Sequence, residues 1–221
     1  MTIAITGLSH HTSPLALRER MALPVERIPA MLQDFNARFG ADSGCFILAT
    51  CNRLEVYVHA RQNTEAIHRE ITAFLGKATR LEESEFSDFL YHYSNEAAVK
   101  HLFSVAASLD SMVVGENEIM RQIQRAHDLA SEAKTLNRQL SMLIQRSLKC
   151  GKRVRTETAM GKGKVSVASV AVDLAEAKLK QLTGKTALIV GSGQVSELAL
   201  KSLVERGVER VLVLNRTLAH A

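Results

Sequence analysis

Thr186-Ala-Leu-Ile-Val-Gly-Ser-Gly-Gln-Val-Ser196 is five residues of buried-type strand running without a break into a glycine turn. A helical pattern over 195–206 follows, Gly207 ends it, and Arg210-Val-Leu-Val-Leu214 is a second strand, so the segment is a β–α–β unit. Upstream, a helix is expected over about 166–181, closed by Thr183-Gly184, and Gly161-Lys-Gly163 breaks the run before it as a hinge. Before that break the chain is helical back to Ser94. The stripes are Leu140, Leu143, Ile144, Leu148 and Val154, then Ile119, Ile123, Ala126 and Ala130. Beyond the Gly115 interruption, Ala97, Ala98, Leu102, Val105 and Ala106 form a stripe that Ser94 can cap.

The N-terminal third has a different pattern. Residues 2–8 alternate as a half-buried strand, and Ser13-Pro14 starts a helix with Ser as N-cap and Pro at the first helical position. A helix is expected over about 26–38, stopping near Gly40, then strands at Cys45–Ala49 and Glu55–His59, then an amphipathic helix from Thr64 to about Gly76. This order predicts a small α+β domain with a mainly antiparallel sheet over 1–160. Residues 161–221 then hold a linker helix and the first β–α–β of a Rossmann-type α/β domain. A dinucleotide fold needs two such halves, so the chain is expected to be the N-terminal part of a longer protein.

Composition narrows the classes. The 221 residues are 46% hydrophobic and 23% charged, the profile of a soluble globular chain. No apolar run approaches the ~18–20 residues of a membrane span, and the start has no basic n-region. Three cysteines, Cys45, Cys51 and Cys150, fit a reduced, cytoplasmic chain rather than a disulfide scaffold. The net charge of +5 is unevenly placed: residues 121–164 hold 11 basic residues (Arg121, Arg125, Lys134, Arg138, Arg146, Lys149, Lys152, Arg153, Arg155, Lys162, Lys164) against Asp128, Glu132 and Glu157. A solvated helical face explains this without a partner, and charge alone favours that reading. The alternative is an electrostatic footprint for a polyanion such as RNA.

Gly191-Ser192-Gly193-Gln194-Val195-Ser196 resembles the dinucleotide fingerprint G-x-G-x-x-G/A. Gly191 permits the tight turn, Gly193 lets the backbone approach a pyrophosphate, Ser196 is small enough for helix–strand packing, and the helix N-terminus offers N–H groups to phosphate. The second strand ends in Asn215-Arg216-Thr217 where an NAD site places an acid. A guanidinium and a hydroxyl suit a 2′-phosphate, which favours NADP. In the turn Thr50-Cys51-Asn52-Arg53, Cys51 is a candidate nucleophile beside a guanidinium that would favour its thiolate. Arg53 could grip a substrate carboxylate. Glu55, on the same strand face, could orient Arg53 or pair with a substrate amine. The pairs His10/His11 and His59/His68 have no ligand set at metal spacing, so no metal is expected.

These motifs together resemble the glutamyl-tRNA reductase family. The match runs through Gly7-Leu-Ser-His10-His-Thr12-Ser-Pro14 with Arg18-Glu19, Thr50-Cys51-Asn52-Arg53-Leu-Glu55, the stretch His101–Glu116 with Asp110-Ser111 and Gly115-Glu116, Lys152–Thr158, Val165-Ser-Val167, Gly191-Ser-Gly193 and Asn215-Arg216-Thr217. The resemblance implies an N-terminal catalytic domain, an NADPH domain and a C-terminal helical dimerisation domain. It implies Cys51 as nucleophile, Thr50, Asn52 and Arg53 as substrate-binding neighbours, His101 as important for activity, and Ser111, Glu116, Asn117, Glu118 and Gln122 as further substrate contacts. It further implies NADPH-dependent reduction of glutamyl-tRNA(Glu) to glutamate-1-semialdehyde through a cysteine thioester, the first step of tetrapyrrole biosynthesis. A homodimer and hand-over to an aminomutase go with it. Departures are Asn117-Glu118 for the usual Pro-Gln, Ser108 for glycine, and Ser196. Two other readings compete. A catalytically silent regulatory or RNA-binding relative would not need the intact Thr50–Arg53, and a bare NADP module leaves residues 1–150 unused.

Overall fold

In a computed structural model that describes residues 1–116, 118–161, 166–191 and 193–217, the alternating N-terminal segment forms β1 (Thr2–Ser9). Asn117, Lys162, Gly163, Lys164, Val165 and Ser192 lie outside the described residues. Pro14, not Ser13, is the N-cap of α1 (Leu15–Arg20). The Ser13 hydroxyl instead donates to the Ser9 carbonyl at 2.8 Å and closes the turn after β1. The helix expected over 26–38 is a 3-10 turn at Val25–Arg27 followed by α2 (Ile28–Asn36). Next come β2 (Gly44–Ala49) and β3 (Arg53–Ala60), antiparallel from Gly44↔His59 to Ala49↔Leu54. In α3 (Thr64–Thr79) the Asn63 side chain caps the Ala66 amide at 2.8 Å, and Ile67, Ile71, Phe74 and Leu75 are buried.

A strand that the sequence pattern does not announce follows, β4 (Tyr91–Ser94). Tyr-His-Tyr-Ser has no apolar run, and its extended form rests on pairing with β1, from Ala4↔Ser94 to Gly7↔Tyr91. Its neighbour is α4 (Asn95–Ala106). Ser94 stands at the N-cap, but its hydroxyl bonds no helix amide and meets His68 Nε2 at 3.0 Å. Ala97 is exposed rather than part of the buried stripe. Then α5 (Glu118–Glu132) buries Ile119, Ile123, Ala126 and Ala130, and α6 (Arg138–Glu157) buries Leu140, Leu143 and Ile144, with Leu148 and Val154 half-buried.

The sheet order is β2-β3-β1-β4, all antiparallel. Side chains alternate across it, so its faces meet different helices. On one face Thr6 Oγ1 bonds His68 of α3 at 2.8 Å, and the Cys45 thiol points at the Leu32 carbonyl of α2. The other face carries Gly7, Arg53, Glu55, Tyr57 and Tyr91, and α4 packs there through His101. Gly7 has a steric reason: a Cβ at that position would lie 2.6 Å from the Leu54 carbonyl and 2.8 Å from Glu55 Cγ. Its absence lets Glu55 lie flat against β1.

Residues up to Gly161 form one compact unit, and those from Lys162 onward form a second. The second holds α7 (Val167–Leu179), β5 (Thr186–Val190), α8 (Gln194–Glu205) and β6 (Arg210–Leu214). α7 ends at Lys180, whose φ of +67° breaks the helix before the Thr183-Gly184 expected to close it. β5 and β6 pair in parallel from Thr186↔Arg210 to Val190↔Leu214, as a crossover helix requires. The buried-type strand is not buried: Leu188 and Val190 are exposed, and among the described residues β6 is the one strand that pairs with it. The core of this unit is Val172, Leu182 and Val208.

Candidate active site

Two short turns meet at one end of the antiparallel sheet. In the first, Thr50 Oγ1 accepts from the amides of Asn52 and Arg53, each at 3.1 Å, and the Thr50 amide donates to the Arg53 carbonyl at 2.9 Å. A threonine at this position therefore organises the turn and leaves Cys51 exposed at its tip. In the second, the Thr12 amide donates to the Ser9 carbonyl at 3.1 Å. The His10 amide donates to the Asn52 carbonyl at 2.9 Å and ties the turns together.

Arg53 begins β3 but points inward, away from that rim. Its Nη1 donates to Glu55 Oε1 at 2.7 Å and to Asp110 Oδ2 at 3.1 Å, and its Nη2 donates to the Asp110 carbonyl. Glu55 is 0% exposed and also accepts from Tyr57 Oη at 2.6 Å, Tyr91 Oη at 2.5 Å and His101 Nε2 at 2.8 Å. The guanidinium is thus held between two acids, Glu55 and Asp110. Glu55, sealed from solvent in this structure, orients Arg53, one of its two expected roles. The physical reason is desolvation: a buried guanidinium needs acids around it, and two are supplied.

Electrostatics follow. Burial pushes the Glu55 carboxyl up, but the Arg53 charge and the His101 hydrogen bond outweigh it and hold the group well below the usual carboxylate range. Burial lowers Arg53, and Glu55, Tyr91 and Asp110 more than restore it. The Tyr57 and Tyr91 hydroxyls are pushed up by burial and by the Glu55 charge, so they stay protonated donors. With Glu55 ionised and accepting only, His101 presents Nε2–H to it. His101 thus belongs to the buried network, its ring 4.9 Å from Tyr93 and 5.3 Å from Tyr91.

The segment after α4 supplies the third wall. Ser108 Oγ lies 3.1 Å from Ser111 Oγ and 3.0 Å from the Glu116 carbonyl, which also accepts from Arg155 of α6. The Glu116 carboxyl is raised by burial and by Glu118, with Ser111 hydrogen-bonded to it. Asp110 links this segment to Arg53. Glu118 instead pairs with Arg121, and Gln122 is half-buried one turn on. The structure therefore groups Arg53, Glu55 and His101 in one network, with Thr50, Cys51 and Asn52 on its rim and Ser111 and Glu116 beside it. Asp110 and His11 are the members that sequence reasoning missed. His11 Nε2 lies 3.2 Å from Asp110 Oδ1. Nothing local in the sequence signalled Asp110, which lies 57 residues from its partner Arg53.

Burial pushes the Cys45 thiol up to about 12, and Cys150 is half-buried on α6. At pH 7 a thiol near 12 is thiolate in roughly one molecule in 10⁵, so brief alkylation should label Cys51 first and Cys45 last. Peptide mapping checks the order, and preferential labelling of Cys150 would contradict it. Among the described residues no group of three His, Cys, Asp or Glu could hold a metal ion. His59 and His68 are on opposite faces, bonded to Asn137 and Thr6. Among the same residues no helix is long and apolar enough to cross a membrane.

In the second unit Gly191 adopts φ +100°, and its amide donates to the Leu214 carbonyl at 2.8 Å. That bond sets the glycine turn beside Asn215, Arg216 and Thr217. Gly193 is the N-cap of α8, and a Cβ there would meet nothing within 4 Å, so the helix N-terminus opens onto free space. Ser196 lies on the first turn of α8 close to Gly191, Val195 is exposed, and Arg216 and Thr217 are exposed. Gln194 opens the helix. The described turn fits a pyrophosphate on the helix end with a cationic group nearby.

Residues 6–158 match the family model described as glutamyl-tRNAGlu reductase, N-terminal domain, and residues 173–221 match shikimate / quinate 5-dehydrogenase. Glutamyl-tRNA reductase of Trichodesmium erythraeum is 37% identical over 222 residues, covering 100% of this chain and 51% of that protein. The Moorella thermoacetica enzyme is 40% identical, covering 98% and 49%. The solved glutamyl-tRNA reductase from Methanopyrus kandleri aligns with a TM-score of 0.65 at 36% identity, over 99% of this chain and 50% of that one. The chain spans about half the length of the curated relatives it matches.

Proposed function

This chain belongs to the glutamyl-tRNA reductase family, and on that premise we propose that it carries the acyl-transfer site of an NADPH-dependent reduction of glutamyl-tRNA to glutamate-1-semialdehyde. The observation that carries this reading is the exposed Cys51 on a turn anchored to the Arg53–Glu55–Asp110 network. Glutamyl-tRNA holds glutamate as an activated ester. The Cys51 sulfur attacks its carbonyl carbon, the bond to the tRNA ribose oxygen breaks, and a thioester remains. No ATP or metal is needed, because the ester arrives activated. NADPH, when bound, supplies the hydride that reduces the thioester.

This chain's residues do the rest. Thr50 and Asn52 hold the Cys51 turn, and the buried network keeps its base rigid. Ser111, Glu116, Glu118 and Gln122, with Asn117, are the proposed contacts to the glutamyl group. Gly191, Gly193 and the α8 N-terminus would hold the pyrophosphate, with Ser192, Gln194, Val195 and Ser196 around it, and Asn215, Arg216 and Thr217 would face the 2′-phosphate. Arg216→Ala is expected to weaken NADPH binding and narrow its preference over NADH. Titrations with both cofactors check this, and an unchanged preference would place the 2′-phosphate reader elsewhere.

Arg138, Arg146, Lys149 and Lys152 stand exposed on α6, and Arg125 and Lys134 stand exposed before it; Arg155 turns inward, to Glu116. Arg153 is paired with Glu157 at 3.0 Å. We assign this face to the tRNA. Charge reversal at Arg146, Lys152 or Arg153 should weaken tRNA binding, and raising salt from 50 to 200 mM should weaken it by at least about tenfold. Titrations at two ionic strengths read this out, and indifference to both changes restores a merely solvated face. The same reading places the reaction first in tetrapyrrole biosynthesis, in the reducing cytoplasm that a free nucleophilic thiol requires. It also includes a homodimer and hand-over to an aminomutase, both supported by the family resemblance alone.

A further inference from the structure

Resting on the reading of Cys51 as the nucleophile, we propose that His11, oriented by Asp110, takes the proton from the Cys51 thiol and returns it to the departing ribose oxygen. The two turns put these groups on one rim. His10 and His11 are the central residues of the Ser9–Thr12 turn, Cys51 and Asn52 those of the Thr50–Arg53 turn, and the His10 amide to Asn52 carbonyl bond of 2.9 Å joins them. Both side chains face water: Cys51 is exposed and the His11 imidazole is 58% exposed.

Asp110 is built to hold that imidazole. Its Oδ2 receives Arg53 Nη1 at 3.1 Å and its carbonyl receives Nη2, which leaves Oδ1 for His11 Nε2 at 3.2 Å. In the tautomer that carries its proton on Nε2, the nitrogen nearest the carboxylate, Nδ1 keeps its lone pair and can accept a proton. Of the neighbouring bases, two are held in the buried network and His10 keeps a buried Nδ1 without a hydrogen-bond partner. His101 Nε2 is bonded to Glu55, Glu55 is sealed, and His10 is half-buried and lowered by burial and by His11. Nucleophile, imidazole and orienting carboxylate are the parts of a Cys–His–Asp arrangement.

The step balances without a further reagent. The Sγ–H proton moves to His11 Nδ1 as the S–C bond forms at the ester carbonyl. The C–O bond to ribose then breaks, and the same proton goes from Nδ1 to the ribose oxygen. Nothing is oxidised or reduced. Asp110 is a positioning residue, since it acts through the imidazole.

The experiment measures acylation of Cys51 from glutamyl-tRNA and, separately, the p-nitrophenol burst from p-nitrophenyl acetate. It uses the parent chain, His11→Ala, His11→Gln and Cys51→Ser, with and without added imidazole. His11→Gln retains bulk and a polar contact to Asp110 but cannot carry the proton. Both His11 variants should acylate about 10²-fold more slowly. Imidazole should recover at least about tenfold in His11→Ala and nothing in Cys51→Ser. Rates within twofold of the parent, or slow rates that imidazole does not move, overturn the assignment. A His11-dependent burst from the nitrophenyl ester without transfer from glutamyl-tRNA would uphold the proton carrier and refute the substrate reading.

Discussion

Glu55→Ala is expected to destabilise the protein by about 3–5 kcal/mol, a large share of the total stability of a domain. The carboxylate is fully buried and accepts from Arg53, Tyr57, Tyr91 and His101. Removing it leaves those donors unsatisfied and leaves the buried Arg53 charge with Asp110 alone. Gly7→Ala should act on the same point from the other side, because its Cβ would fall 2.8 Å from Glu55 Cγ. Glu55 is held below its ordinary value, so the stability it contributes is fully present above the unfolded carboxylate pKa. It is lost only as pH falls through the lower folded value. Urea unfolding at pH 7 checks the magnitude, and unchanged midpoints in both variants would mean the network is not what holds the sheet.

Cys51→Ser should have the opposite profile: at least about 10³-fold less acyl transfer from glutamyl-tRNA, with unfolding unchanged within about 0.5 kcal/mol. The side chain is exposed, so stability has little stake in it. A hydroxyl at pH 7 is a far weaker nucleophile than a thiol and forms an ordinary ester rather than a thioester. Single-turnover assays beside urea curves separate the two effects. Equal deacylation of glutamyl-tRNA by the variant and the parent would remove Cys51 from the chemistry.

The contrast between these residues shows what a sequence can convey. β5 and β6 were legible to the residue, since a short apolar run bounded by glycines leaves few alternatives. The α5 stripe of Ile119, Ile123, Ala126 and Ala130 was legible because a helical repeat over that length is hard to satisfy otherwise. β4 was not, because Tyr-His-Tyr-Ser is extended only by virtue of β1 beside it. Alternation placed Arg53 and Glu55 on one face but did not say that this face is the packed one. The partner that decides the matter, Asp110, lies 57 residues away. Ser13 and Ser94 carried the composition of helix caps, and a local turn partner at Ser9 and a tertiary partner at His68 took their hydroxyls. In the second unit the strand pattern was right and the burial was not, because burial depends on what covers the sheet.

The most direct test of Cys51 as the acyl acceptor is to mix the protein with glutamyl-tRNA without NADPH, quench in acid within seconds and determine the mass of each cysteine peptide. One added glutamyl group on the Cys51 peptide, discharged by hydroxylamine and absent in Cys51→Ser, is the expected result. An unmodified Cys51 peptide while tRNA is being deacylated, or a glutamyl group on Cys45 or Cys150, would contradict it.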